Sequence, residues 1–137
     1  MSNRRIYMQI ANLMTPEPVT IGPTEPLAAA KLLMDEGRFR RLPVVDDGRL
    51  VGILTERDLR EHLGYLESTL VDAAMRTTLV TITPYETVDD AARLMLKHKI
   101  GGLPVVTNGR LTGIVTATDL LRAFLTALQS TRQIMKE

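Results

Sequence analysis

An internal repeat is the feature of this sequence that most restricts its fold. When the chain is shifted by 61 residues, Met14 falls on Met75 and Leu59 falls on Leu120, and no gap is needed between them. Both copies contain the segments Val-Thr-Ile, Leu-Pro-Val-Val, Gly-Arg-Leu and Gly-Ile-x-Thr-x-x-Asp-Leu. A repeat of this size cannot bury its apolar face alone, so we expect the two copies to pack against each other.

Each copy is predicted to run strand, helix, strand, strand, helix. Residues 19–21 and 80–82 are short β-branched runs that a proline turn ends, which is typical of short strands. Apolar residues at helical spacing follow from Leu27 and from Val88. Asp-Gly at 47–48 and Asn-Gly at 108–109 then predict two hairpins, after which Thr55 and Thr116 open helices. The predicted fold class is α+β (mixed α/β), with two pseudo-symmetric β-α-β-β-α units.

Apolar stripes at both ends of the chain extend beyond the repeat. The last helix is predicted to reach about Met135, and its apolar stripe consists of Leu120, Leu121, Phe124, Leu125 and Leu128. A weaker stripe of helical period near the start consists of Ile6, Ile10, Leu13 and Met14. We assign both stripes to packing rather than to a ligand. The predicted organisation is an N-terminal helical segment (1–11), a first repeat (12–63), a linker (64–71), a second repeat (72–128) and a C-terminal helix extension (129–137).

Composition argues against several function classes. A formal net charge of +1 and 4% aromatic residues do not suit a nucleic-acid binder that works through counterion release or base stacking. No apolar run is long enough to span a bilayer, and the first residues lack the apolar run of a signal peptide. The sequence contains no cysteine, which is typical of a reducing compartment. We therefore expect a cytoplasmic protein without a membrane span or a nucleic-acid partner.

The repeated motifs resemble those of the CBS domain family. The chain is similar to a tandem pair of CBS domains (a Bateman module) over about residues 12–128, and it resembles the stand-alone bacterial CBS-pair proteins. The resemblance rests on Met-Thr near the start, an Ala-x-x-Leu-Met helix core, Leu-Pro-Val-Val, Gly-Arg-Leu and Gly-Ile-x-Thr-x-x-Asp. It implies two units packed through their sheets. Two clefts between them would accept adenosyl ligands such as AMP, ADP, ATP or S-adenosylmethionine.

The Thr-x-x-Asp pairs, Thr55 with Asp58 and Thr116 with Asp119, have two interpretations. A carboxylate can accept a charge-assisted hydrogen bond from each of two neighbouring ribose hydroxyls. A threonine hydroxyl and the free N–H groups of a helix start can hold a phosphate. The same spacing is also that of a capping box, in which the acid reaches back to the start of the helix. Ligand binding and capping both stay open here, and the two roles can coexist.

The two copies differ just before Leu-Pro-Val-Val. The first copy has Arg38-Phe39-Arg40-Arg41 and the second has Lys99-Ile100-Gly101-Gly102. Family members contact their ligand at these positions, so the resemblance implies phosphate contacts for Arg40 and Arg41. It implies a base pocket lined by Phe39 and Ile100, and close approach of the backbone to a ligand at Gly101 and Gly102. The alternative is a solvated strand edge in the first copy and a plain loop in the second.

Two further correspondences concern the start of each copy. Val19 and Val80 match apolar family positions beside the adenine, although β-branched strand residues also serve as core. Arg76-Thr77-Thr78 stands where the first copy has Thr15-Pro16-Glu17, which leaves open whether both clefts take the same ligand.

The sequence predicts no catalytic centre and no metal site. It contains no Gly-rich phosphate loop and no nucleophile elbow, and His62 and His98 occupy unrelated positions in the two copies. The predicted function is therefore a regulatory module, not an enzyme, that needs no cofactor beyond a regulatory adenosyl ligand. We expect a homodimer that changes conformation or assembly on binding and acts on an unidentified target enzyme or transporter. The alternative is a ligand-free dimerisation or protein-interaction module with vestigial clefts.

Overall fold

The computed structural model describes residues 8–136, so Ile6 of the N-terminal stripe lies outside the described residues. The chain forms the mixed α and β fold that the sequence predicts. Its elements in chain order are a 3₁₀ turn (Ile10–Asn12), β1 (Thr15–Pro16), α1 (Leu27–Gly37), β2 (Arg41–Asp46), β3 (Arg49–Thr55), α2 (Glu56–Arg60), α3 (Val71–Ala74), α4 (Val88–His98), β4 (Gly102–Thr107), β5 (Arg110–Thr116) and α5 (Ala117–Lys136). No helix in this part of the chain is long and apolar enough to cross a membrane.

The contacts divide the chain into two compact units. The first unit comprises Glu17–Leu79 and Asn108–Leu111. The second unit comprises the described residues up to Pro16, then Val80–Thr107, then the chain from Thr112 onward. Each unit buries an apolar core of its own.

The first unit is built on the β2–β3 hairpin. Its antiparallel register runs from Arg41 opposite Thr55 to Asp46 opposite Arg49, with a shift between Val44 and Val45. The two residues of the turn, Asp47 and Gly48, have φ values of 51° and 77°, as a type I′ turn requires. The buried face of α1 packs with the hairpin and α3 into a core of Ile21, Leu27, Ala30, Met34, Leu42, Val44, Leu54, Leu59 and Val71.

The second unit repeats this arrangement with α4, β4 and β5. Its core consists of Ile10, Ile82, Ala91, Met95, Leu103, Val105 and Val115. Ile10 is fully buried and comes from the N-terminal segment, which confirms the packing role predicted for that stripe. The helix α5 reaches Lys136, so it continues past the repeat as the sequence predicts.

The compact units do not coincide with the sequence repeats. The first residues of each repeat, which we call its lead-in (12–16 in the first copy and 72–79 in the second), lie in the unit that the other copy forms. Thr15 pairs with Ile114 in β5, and Arg76 pairs with Ile53 in β3. A Cβ atom at Gly113 would lie 2.6 Å from the Met14 sulfur and 2.9 Å from the Thr15 carbonyl oxygen. Gly52 makes the equivalent space for Met75. The glycine of Gly-Ile-x-Thr is therefore needed for close approach of the lead-in.

The strands predicted at 19–21 and 80–82 are reduced to single parallel bridges, between Ile21 and Val44 and between Ile82 and Val105. Ile21 donates to the Pro43 carbonyl at 3.1 Å and accepts from the Val45 amide at 2.9 Å. In a parallel ladder the next residue to bond is two positions further on, and in both copies it is a proline, which has no N–H. The strand prediction is therefore wrong in length.

Candidate functional site

Asp58 lies at the start of α2, and its side chain is almost completely buried. Its Oδ2 atom accepts hydrogen bonds from the Thr55 amide at 2.8 Å and from the Thr55 hydroxyl at 2.9 Å. The Thr55 hydroxyl oxygen in turn accepts from the Asp58 amide at 3.3 Å. These bonds form the complete capping box that the spacing allows, so the cap interpretation holds at this site.

Asp119 repeats this geometry at the start of α5. Its Oδ2 atom accepts from the Thr116 amide at 2.8 Å and from the Thr116 hydroxyl at 3.0 Å, and its amide donates to the Thr116 hydroxyl oxygen at 3.3 Å. The match between the copies shows that the four predicted residues form two local Thr–Asp pairs, one in each compact unit.

A third pair of this kind lies at the start of α4, where the sequence analysis identified none. Thr87 and Asp90 make the same three hydrogen bonds, at 3.0, 3.0 and 3.3 Å, outside the Gly-Ile-x-Thr motif. The bonds from the Thr87 backbone and hydroxyl hold the pKa of Asp90 below its ordinary value, because they stabilise the carboxylate. Because this pair lies outside the repeated motif, it is an example of a capping box for which no ligand role is predicted. The Thr-x-x-Asp spacing at 87–90 could have revealed it.

The cap occupies one oxygen of each carboxylate and leaves the other with a long contact. The Oδ1 atom of Asp58 lies 3.5 Å from Nη2 of Arg76, whose side chain is 54% exposed. The Oδ1 atom of Asp119 lies 3.9 Å from Nη1 of Arg122, a residue of its own helix. Capping therefore does not prevent either carboxylate from accepting hydrogen bonds from a ligand. Arg76 is a member of the first site that the sequence analysis did not name as a binding residue.

Arg41 is a cation that the β2–β3 hairpin places beside Thr55. It lies directly opposite Thr55 in the β2–β3 ladder, and opposite residues of a ladder share one face of the sheet. Burial, and then the neighbouring charge of Arg40, lower the pKa of Arg41. No carboxylate among the described residues lies within ion-pair distance of its guanidinium. Thr55 therefore has two of the predicted residues as neighbours, Asp58 through hydrogen bonds and Arg41 across the ladder, and an anion would stabilise the guanidinium of Arg41.

Phe39 and Arg40 lie beside a groove of the first unit. They border a groove of about 450 Å³ between α1 and α2, whose lining residues are Lys31, Met34, Asp35, Arg38, Phe39, Arg40, Glu56, Leu59, Arg60 and Leu63. The Phe39 ring packs on Gly37, where a Cβ atom would collide with it. Thr55, Asp58 and Arg41 are not part of this lining. Glu56 and Leu59, which neighbour Thr55 and Asp58 in the chain, do line the groove, so Phe39 borders the same helix that carries Asp58.

The counterparts in the second unit carry no charge. The Gly101 carbonyl accepts from the Ala117 amide at 2.9 Å, as the Arg40 carbonyl accepts from the Glu56 amide at 2.8 Å. Gly102 is buried at the start of β4. Ile100 and Val80 are partly buried against the core of the second unit, whereas Val19 in the first unit is 42% exposed. Ile100 and Val80 therefore contribute to packing.

Comparison with known proteins identifies the family of both copies. The family profile of the CBS domain matches twice, at residues 10–65 and 71–126. Inosine-5'-monophosphate dehydrogenases of Staphylococcus epidermidis and Staphylococcus aureus are 38% identical to the chain over 106 residues. That match covers 75% of this chain and 22% of the dehydrogenase. The chain therefore spans about a fifth of the length of these curated relatives.

Solved structures match over most of the chain. A Vibrio cholerae protein assigned to acetoin utilization (AcuB) has a TM-score of 0.84 and 31% identity, over 93% of this chain and 98% of its own. The CBS domain pair of MJ0100, in complex with 5'-methylthioadenosine and S-adenosyl-L-methionine, has a TM-score of 0.81 and 29% identity over 88% and 98%. CBSX2 in complex with AMP has a TM-score of 0.77 and 29% identity over 88% and 98%. With both copies matched by the family profile, this chain belongs to the CBS domain family as a tandem pair of CBS domains.

Proposed function

We propose that this chain is a regulatory module that binds adenosyl ligands at its two Thr–Asp pairs. The observation that carries the proposal is that the two oxygen atoms of each carboxylate have different hydrogen-bond partners. Oδ2 accepts both cap bonds, and Oδ1 keeps its acceptor capacity apart from one long contact with an arginine. A carboxylate offers about four lone-pair sites, so about two lie on Oδ1 and suit the neighbouring hydroxyls of a ribose.

The two threonines hold the carboxylates in place rather than bind phosphate. Each hydroxyl already donates to its aspartate and accepts from the aspartate amide, which uses its one proton. At the first site, phosphate binding would then fall to the guanidinium groups. The ligands that crystallised with related pairs, AMP in CBSX2 and 5'-methylthioadenosine with S-adenosyl-L-methionine in MJ0100, support adenosyl compounds as the ligand class.

We further propose that the chain acts as a homodimer. Leu121, Phe124 and Leu125 on α5 are each more than half exposed, and large apolar patches of this kind usually mark an interaction surface. Ligand binding would shift the conformation or the assembly, and a target enzyme or transporter would read that change. The match to the curated relatives lies within the CBS region, which supports a regulatory role for this pair. The absence of cysteine supports a reducing compartment such as the cytoplasm.

A second candidate function is a ligand-free interaction module. The complete capping boxes favour it, because the cap alone explains why Asp58 and Asp119 follow their threonines. On this alternative the carboxylates stabilise helix starts, and the exposed face of α5 carries the function.

Calorimetric titration of the full chain separates the two functions. The ligands are AMP, ADP, ATP, S-adenosylmethionine and 5'-methylthioadenosine, and guanosine monophosphate serves as the base control. We expect saturable binding of at least one adenosyl compound, which Asp58→Asn or Asp119→Asn weakens and Asp90→Asn does not. Failure of every adenosyl compound to bind at millimolar concentration would leave the interaction module as the function.

A further inference from the structure

The two Thr–Asp pairs differ in charge at three structurally equivalent positions. The first two positions are Arg40 and Arg41 in the first unit, against Gly101 and Gly102 in the second. Their equivalence is structural as well as sequential, because the carbonyls of Arg40 and Gly101 each accept from the first amide of the following helix. Two guanidinium groups in one copy are therefore replaced by two residues without side chains in the other.

The third position is Arg76, whose equivalent is Thr15. Arg76 exchanges backbone hydrogen bonds with Ile53 at 2.8 and 3.0 Å, and Thr15 pairs with Ile114. Ile53 and Ile114 each lie two residues before the threonine of their own pair. The chain thus places an arginine beside Asp58, and the equivalent position in the second unit carries a short neutral hydroxyl side chain.

The charge balance at the two sites is consequently different. At the first site, Nη2 of Arg76 lies 3.5 Å from Oδ1 of Asp58, and the half-buried Arg41 lies opposite Thr55 in the β2–β3 ladder. The exposed Glu56 at the start of α2 is the nearest acid in sequence, and it borders the groove that Phe39 lines. Among the described residues, the cation within 4.0 Å of the Asp119 carboxylate is Arg122, whose side chain is 76% exposed and whose Nη1 atom is 3.9 Å from Oδ1. An anionic group gains charge-assisted bonds at the first site, and at the second it meets a carboxylate with little compensation.

We infer that the Asp58 site selects adenosyl ligands that carry a phosphate, whereas the Asp119 site takes uncharged or cationic adenosyl ligands. The inference rests on the proposed function, since it assumes that adenosyl ligands bind at both Thr–Asp pairs. Arg76 is the specificity-determining residue in this scheme. Its guanidinium has five N–H donors and makes one long contact with Oδ1, so ribose hydroxyls that take Oδ1 release it toward the ligand phosphate.

The test is a titration of the full chain with AMP and with 5'-methylthioadenosine, which is an adenosyl compound without a phosphate. Asp58→Asn and Asp119→Asn assign each binding event to a site. We expect Asp58→Asn to remove AMP binding and to keep 5'-methylthioadenosine binding, and Asp119→Asn to do the reverse. Arg76→Thr should weaken AMP binding about tenfold or more, since a hydrogen bond to a charged group contributes roughly 1.5–3 kcal/mol.

The reciprocal variant Thr15→Arg transplants the cation to the second site. It should raise the affinity of the second site for AMP and lower its preference for 5'-methylthioadenosine. Thr15→Arg therefore tests the inference even if Arg76→Thr does not fold. Equal affinity of both sites for AMP, or unchanged AMP affinity in folded Arg76→Thr, would overturn the inference and leave the proposed function standing. Absence of binding of both compounds to the parent chain would overturn the inference, and it would overturn the proposed function as well if ADP, ATP and S-adenosylmethionine also fail to bind.

Discussion

The sharpest prediction compares one substitution at two capping boxes, Asp58→Asn and Asp90→Asn. In both aspartates the carboxylate accepts two hydrogen bonds from the threonine three residues earlier, and the backbone amide donates one to its hydroxyl oxygen. They differ in burial, because the Asp58 side chain is 6% exposed and the Asp90 side chain is 40% exposed. Asparagine keeps the shape of aspartate and removes its charge, so the pair of variants separates capping from ligand binding.

The magnitudes follow from the burial and the bonds. Loss of a helix cap costs about 0.5–2 kcal/mol, and we expect a cost near the high end at buried Asp58 and a smaller loss of stability at the more exposed Asp90. For a chain of this size that corresponds to a fall in melting temperature of roughly 2–8 °C. A ligand at about 100 times its dissociation constant stabilises the parent by roughly 2.7 kcal/mol per site, a rise of about 10 °C.

The assay is thermal unfolding followed by circular dichroism, with and without AMP. Asp90→Asn should melt slightly lower than the parent and keep the full rise on AMP addition. Asp58→Asn should melt lower and lose the rise from its own site. If Asp58→Asn and Asp90→Asn respond to AMP as the parent does, the Asp58 carboxylate is a cap alone and the binding site has been misplaced.

The remaining predictions concern pH, packing and assembly. The folded-state pKa of Asp90 is below its ordinary value of 3.8, so its contribution to stability is present above pH 3.8 and is lost as the pH falls through the folded-state pKa. The stability gap between the parent and Asp90→Asn, measured by urea unfolding, should therefore be full at pH 6 and shrink below pH 3.8. A gap independent of pH would mean that the charge of Asp90 contributes nothing. Gly113→Ala should destabilise the chain by about 1–3 kcal/mol, because its Cβ would press on Met14 and Thr15, while Gly22→Ala should be nearly neutral, since its nearest neighbour would be 3.9 Å away. Equal melting temperatures of these two variants would refute the close approach of the lead-in. Leu125→Glu on the exposed face of α5 should shift the mass from light scattering from dimer to monomer, whereas Thr126→Glu on the same helix should not. A parent that is already monomeric would rule out the homodimer.

The local features of this protein could be predicted from its sequence. The Asp47-Gly48 turn, the α5 helix and the spacing of the capping boxes depend on residues within one or two turns of each other. Side-chain caps and type I′ turns follow from the chemistry of those few residues. Since both copies contain the same motifs, each copy predicts its own cap and its own turn. The two-copy fold was predictable for the same reason, because every element of the first copy has a counterpart in the second.

The features that depend on distant residues were decided by the tertiary structure. Each lead-in pairs with the last strand of the other copy, and this pairing brings Arg76 to Asp58 across 18 residues. The alignment of one copy on the other marked Arg76 as a departure and contained no information about its neighbours. The same holds for Phe39, whose ring packs on Gly37 and borders the groove between α1 and α2. Local propensity acts over a few residues, whereas the partner of a strand is selected by packing of side chains such as Met14 and Met75 against glycines far along the chain.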